Sequence, residues 1–234
     1  MNRRPEPELM LDADQVRAYA AADFEVPHAH CVDLLLDRLG GLPRHGRAVD
    51  LGCGPADISL RLARRLDGWR FVGVDGSPAM LDRAREALAA EGATARIELV
   101  EAFLPTGELS ADSFDLVFSN SLLHHLSEPA VLWTTLRAVA RPGAAVFVMD
   151  LLRPESPGRV SELVARYAAD EPAVLRRDFE ASLYAAYTLA EVAGQLSAAG
   201  LERLRLEAVS DRHWIASGHL APAPATVSSR PSQR

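Results

Sequence analysis

The 234-residue sequence contains no lysine, so all 25 of its basic residues are arginine. Schiff-base and pyridoxal chemistry, which need a lysine amine, are thereby excluded. The arginine and alanine bias reads as the composition of a GC-rich genome rather than a functional device. Cysteine is almost as scarce, with Cys31 and Cys53 alone. Two cysteines make neither a disulfide framework nor a thiolate metal site, and both are expected to be reduced. No apolar run is long enough to cross a bilayer, and the opening MNRRPEPELM lacks the apolar centre of a signal peptide. A cytoplasmic protein without a membrane partner is the expectation. The net charge of −7 argues against a protein that works by neutralising phosphates, so no nucleic-acid partner is expected.

What is present is an ordinary globular composition, 48% hydrophobic and 24% charged, in a chain sized for one large α/β domain. From Arg47 onward, short apolar runs alternate with helical patterns, the signature of a parallel sheet covered by helices. Strands are expected at 47–51, 70–74, 95–100, 114–119 and 144–150, with helices near 56–66, 78–90 and 129–140. Pro78 and Pro129 suit first helical turns, and Gly92 and Gly143 suit the turns that follow. After a helix at 189–199, the stretch LERLRLEAVSDRHWIASGHL alternates apolar and polar residues in two segments, expected to pair antiparallel at the sheet edge. The fold class is thus a Rossmann-like doubly wound sheet, mostly parallel, with helices on both faces. Residues 1–46 are expected to form an N-terminal helical cap, with one helix opened by Asp12 and Gln15 as a capping box and a second from Pro27 to before Gly40. The core spans 47–220, its segment 153–187 is a helical lid insertion too long for an ordinary loop, and 221–234 reads as a disordered tail.

AVDLGCGPADISL, residues 48–60, places Gly52 and Gly54 between a strand and a helix, where backbone can approach a ligand and a helix N-terminus can face it. A bare strand-to-helix turn is the competing reading. Asp75 supports the ligand, because it ends the second strand 21 residues after Gly54, where a carboxylate can accept from both hydroxyls of a ribose. A dinucleotide turn would want a third glycine at position 57, and Asp57 would repel a diphosphate there. That favours an adenosyl ligand without phosphate.

At these residues the sequence resembles class I S-adenosylmethionine-dependent methyltransferases over about 47–220. Asp50, Gly52 and Gly54 are similar to the family's first motif, with Ala56 where a third glycine is common. The resemblance makes Asp75 the ribose-binding acid, with Gly76 and Ser77 in the same turn, and sets Ala102 and Phe103 of VEAFLP against the adenine. FDLVFSNSLLHHLSEP, residues 114–129, resembles the small-molecule branch that includes quinone-biosynthesis enzymes. By that resemblance Asn120 lies beside the methionine part of the cofactor and His124 or His125 near the methyl donor. Asn120, Ser121, Leu122 and Leu123 depart from the signature of enzymes that methylate exocyclic amines of bases. The implied function is methyl transfer from S-adenosylmethionine to a small-molecule acceptor.

No catalytic base is readable, because a sulfonium donor needs positioning more than acid–base help. Candidates for the acceptor side are Tyr19, Phe24, His28, Arg153, Tyr167, Phe179, Tyr184 and Tyr187, each with core packing or a surface ion pair as its other possible role. Two histidines with no third ligand nearby give no metal site. The rivals are an NAD-dependent oxidoreductase, which would lack the usual Tyr-x-x-x-Lys pair in a lysine-free chain, and a non-catalytic cofactor-binding protein of the same fold. The oligomeric state is not legible.

Overall fold

The computed structural model describes residues 1–6 and 24–222. Chain order is α1 (Glu25–Leu39), β1 (Gly46–Leu51), α2 (Asp57–Arg65), β2 (Trp69–Asp75), α3 (Pro78–Ala90), β3 (Ile97–Glu101) and β4 (Phe114–Asn120). A single 3₁₀ turn, Leu123–His125, leads to α4 (Ala130–Val139) and β5 (Ala140–Leu151). Then come α5 (Pro157–Tyr167), α6 (Ala173–Ala185), α7 (Leu189–Ala198), β6 (Arg205–Ala208) and β7 (His213–His219).

The seven strands lie in the order β3-β2-β1-β4-β5-β7-β6. The first five are parallel, and β7 pairs antiparallel with both β5 and β6. The expected edge pair is therefore present. Period-two alternation splits each central strand between two apolar layers. Val49, Val72, Val117, Val146 and Val148 face Trp133 and Leu136 of α4 and Val192 and Leu196 of α7. Ala48, Phe71, Leu116, Phe118 and Phe147 face Leu35 and Leu39 of α1 and Leu60 and Leu62 of α2. With both faces covered, these strands read as nearly continuous apolar runs.

Pro78 occupies the first turn of α3, behind Ser77 as N-cap, and Thr188 with Glu191 forms a full capping box on α7. The segment 153–187 contains α5 and α6, packed on Leu151 through Val160, Leu163 and Leu183. Of the expected cap, residues 1–6 and 24–46 are described; α1 is its helix, and residues 1–6 belong to no regular element. Arg3 donates from Nε to the Ala185 carbonyl at 2.6 Å and from Nη2 to that of His124 at 2.9 Å, which lays the chain start across α6 and the 3₁₀ turn. The helix expected from Asp12, with Tyr19 on it, and the tail beyond residue 222 lie outside the described residues.

Strand order reverses beside β1: the chain steps outward to β2 and β3, then returns to place β4 on the other side. A crevice opens at such a reversal, outside the carboxyl ends of the strands. Asp50, Asp75, Asn120 and Asp150 stand at the carboxyl ends of β1, β2, β4 and β5.

Candidate active site

The turn after β1 is tied to β2 by two hydrogen bonds, from the N–H groups of Gly52 and Cys53 to the Val74 carbonyl at 2.8 and 3.0 Å. Gly54 then adopts φ +52° and donates its N–H to Asp75 Oδ2 at 2.8 Å. The other oxygen, Oδ1, accepts from the Ser77 N–H at 2.8 Å. Each carboxylate oxygen keeps lone pairs beyond these bonds, enough for two ribose hydroxyls. A methyl group added at Gly54 would meet no protein atom within 4 Å, so the turn faces open space. Ala56 holds φ +62° at the N-cap of α2, a left-handed conformation that explains why glycine is common there.

Asp50 is buried and accepts from Ser59 Oγ at 2.8 Å. Burial pushes its carboxyl up to about 7. Asp75 is raised for the same reason, against the pull of its two backbone N–H bonds. Asn120 accepts a weak bond from the Cys31 thiol at 3.5 Å. Phe103 is a large apolar side chain left 61% exposed beside the crevice, as a ring waiting to be stacked would be.

These groups border one cavity of about 890 Å³ that continues to Tyr167, Phe179, Arg212 and His213. The open face of Gly54, the spare lone pairs of Asp75 and the exposed Phe103 ring fit an adenosyl cofactor. Residues 48–143 match the family model described as a methyltransferase domain. Over those residues the chain is similar to a methyltransferase domain. It is similar to trans-aconitate 2-methyltransferase of Variovorax paradoxus, 34% identical over 131 residues, 56% of this chain and 48% of the relative. It is also similar to malonyl-[acyl-carrier protein] O-methyltransferase of Legionella pneumophila, 31% identical over 123 residues, 53% of this chain and 41% of the relative. The chain spans about half the length of such curated relatives. A solved methyltransferase from Aquifex aeolicus shares the fold, with a TM-score of 0.65, 18% identity and coverage of 91% of this chain and 100% of that one. So does the [4+2]-cyclase SpnF, with a TM-score of 0.59, 16% identity and coverage of 87% and 85%.

All nine residues expected on the cofactor side, Asp50, Gly52, Gly54, Asp75, Gly76, Ser77, Ala102, Phe103 and Asn120, border the cavity. Asp57 requires a correction. Its carboxylate contacts His28 Nδ1 and Arg61 Nε, both at 2.6 Å, and these bonds hold it below its ordinary value although burial opposes them. Compensated in this way, it is a poor repeller of diphosphate.

The acceptor-side candidates divide. Phe24, His28, Tyr167 and Phe179 border the cavity. Arg153 does not: it donates to Glu191 Oε1 at 2.7 Å and to the Ala186 carbonyl at 3.3 Å, and so clamps α7 to the end of α6. Tyr184 and Tyr187 lie under the guanidinium groups of Arg4 and Arg3, at 4.5 and 4.3 Å, as seats for the chain start. His124 is 2% exposed and buried against Asp150, whose Oδ1 lies 2.5 Å from Nδ1. Burial opposes a charge on that imidazole, yet Asp150 and then Glu6 hold it above the usual histidine range, while Asp150 is drawn below its own. His125, its neighbour, has the more open side chain.

Glu6, Arg212 and His213 are the residues that sequence reasoning missed. Glu6 reaches the histidine pair across more than a hundred residues and carries no local signal. The other two follow from topology, since β7 runs antiparallel to β5 and so begins at the carboxyl end of the sheet. Burial and the neighbouring Arg212 push His213 down to about 4, so it is neutral at physiological pH.

Proposed function

We propose that the protein transfers a methyl group from S-adenosylmethionine to a small-molecule acceptor held under α5 and α6. The observation that carries this reading is the continuity of the cavity. Its 890 Å³ lies near the top of the range for small-molecule sites, roughly 300–1,000 Å³, which leaves room for cofactor and acceptor together. When bound, the cofactor supplies an electrophilic methyl on a sulfonium whose thioether leaves without protonation. The Asp75 carboxylate would hold the ribose hydroxyls, Ala102 and Phe103 the adenine, and Asp50, Asn120 and the 52–54 backbone the amino-acid end.

On the other side, Leu175 and Phe179 of α6 and Tyr167 of α5 line the part of the cavity that would take the acceptor. Arg212 stacks on Tyr167 with its guanidinium 3.4 Å from the ring centroid, so a cation stands at this end. That suits an acidic acceptor, in keeping with the acids named in the relatives above. His28 borders the cavity with Asp57 behind its Nδ1, the pairing by which a carboxylate orients an imidazole to take a proton. Residues 1–6, α1 and the 153–187 segment act as the cover of this site. No helix among the described residues is long and apolar enough to cross a membrane, and with the acidic net charge we place the protein in the cytoplasm, with nucleic acid outside its substrates.

The test is a screen for release of S-adenosylhomocysteine across carboxylates, phenols, quinols, thiols and amines. Turnover of at least one small acceptor is expected. Cofactor binding without turnover over the whole panel would favour a second reading, use of the fold for other chemistry, which the likeness to a cyclase keeps in view.

A further inference from the structure

We propose that Glu6, His124 and His125 form a binding site for a divalent transition-metal ion, with Zn²⁺ as the type. The three residues offer one carboxylate oxygen and two imidazole nitrogens, all within 4.8 Å of one another. Glu6 Oε1 lies 3.2 Å from His125 Nδ1 and 3.5 Å from His124 Nε2. Metal–ligand bonds of about 2.0–2.2 Å, at angles between octahedral and tetrahedral, set neighbouring ligand atoms roughly 2.9–3.5 Å apart. Both distances match the edges of such a polyhedron.

The support behind the ligands is of the same kind. Asp150, itself buried, holds Nδ1 of His124 and also accepts from the Leu123 and Leu151 N–H groups at 2.6 Å each. A carboxylate on the far nitrogen fixes the ring and directs the other nitrogen outward as a ligand, the arrangement that backs many metal-bound histidines. Here that outward nitrogen is Nε2, the one beside Glu6. The ion would bind through Nε2 of His124, while Nδ1 keeps its proton and donates it to the Asp150 carboxylate. Two imidazoles and a carboxylate select zinc, cobalt or ferrous iron over magnesium and calcium. Glu6 and Asp150 together balance a charge of +2, so the loaded site is neutral.

Two consequences follow from where the ligands sit. The ion ties the chain start to the 3₁₀ turn, which bridges the N-terminal segment to the wall of the cavity. Three protein ligands also leave room for an oxygen of the acceptor, and this second consequence rests on the proposed methyl transfer. The binding site itself does not.

The test uses the untagged full chain, stripped with a chelator and titrated with Zn²⁺ against a chromophoric competitor, and with Co²⁺ by visible absorption. About one equivalent should bind at micromolar or tighter affinity. Glu6→Gln and His125→Gln should each weaken binding at least tenfold, with melting of the metal-free protein little changed, and Asp150→Asn by about 10- to 100-fold. S-adenosylhomocysteine affinity, measured on the same samples, separates loss of the metal site from failure of the cofactor reading. Less than half an equivalent bound, affinity unmoved by Glu6→Gln and His125→Gln, or cobalt–thiolate charge-transfer bands that place the ion on cysteine would each overturn the assignment.

Discussion

Asp50→Asn should stabilise the cofactor-free protein at pH 8 and fail to do so at pH 5. Asp50 is buried at the end of β1, with the Ser59 hydroxyl at 2.8 Å, and burial lifts its carboxyl from 3.8 to about 7. The folded state therefore binds this proton more tightly than the unfolded chain. Stability contributed by the protonated group is complete below pH 4, falls between about 4 and 7, and is gone above 7. Three units at about 1.36 kcal/mol each put the cost of keeping the anion buried near 4 kcal/mol. Asparagine carries no charge, but its amide hydrogens need partners, which costs about 1–3 kcal/mol. The net gain at pH 8 is then about 1–3 kcal/mol, a rise in Tm of roughly 2–10 °C in a chain of this size.

Urea denaturation of both proteins from pH 5 to 8 isolates the group, because titrations not coupled to Asp50 cancel in the difference. The gain should grow through that interval as the wild-type carboxyl ionises. A loss of equal size at pH 5 and pH 8 would refute the reasoning, since it would mean that Asp50 is ionised throughout and held by its hydrogen bond. Calorimetry with S-adenosylmethionine on the same pair should show the variant binding more weakly, with the wild-type affinity alone rising between pH 6 and 8.

Gly54→Ala should fold with a penalty of about 1–2 kcal/mol for its left-handed φ and lose at least tenfold in cofactor affinity, as read by calorimetry, because the new methyl projects into the open cradle. Asp75→Ala should cost roughly 2–3 kcal/mol of cofactor binding, about a hundredfold, and also lower Tm, because the Gly54 and Ser77 N–H groups lose their shared acceptor; unchanged binding would make it a turn residue only. Phe179→Ala should lower kcat/KM for whatever acceptor the screen identifies while the cofactor Kd stays within a few-fold; equal loss in both would make α6 a structural support.

That the candidate site residues from Asp50 to Ser77 border one crevice was legible because their arrangement is local. A strand, a glycine turn and a helix are contiguous, and the residue at the end of the next strand needs only that the two strands pair in parallel, as β1 and β2 do. The sheet was legible because strands buried on both faces must be apolar throughout. The acceptor side was less so. Arg153 has the right charge and stands just after β5, yet the capping-box glutamate Glu191 claims it. Tyr184 and Tyr187 are aromatics in the right segment, but they point at the chain start rather than the cavity. In each case a partner distant in sequence decided where a side chain would go, and local pattern carries no information about that partner.

The three acids at strand ends show how one crevice can hold opposite electrostatic demands. Asp50, Asp75 and Asp150 sit at the carboxyl ends of three parallel strands, Asp50 and Asp150 fully buried and Asp75 partly so. Asp150 meets its burial with an imidazole at 2.5 Å and two backbone N–H groups, and is driven below its ordinary value. Asp50 has a single hydroxyl and Asp75 two amides, and neither contact offsets burial, so both are raised. A raised buried acid is one for which the fold supplies too little positive charge, and a cationic ligand beside it recovers part of what desolvation costs. S-adenosylmethionine brings a sulfonium and an ammonium, whereas a dinucleotide brings a diphosphate that would worsen the imbalance. If the cofactor binds as proposed, the discrimination that Asp57 cannot provide, paired as it is with His28 and Arg61, falls to Asp50 and Asp75.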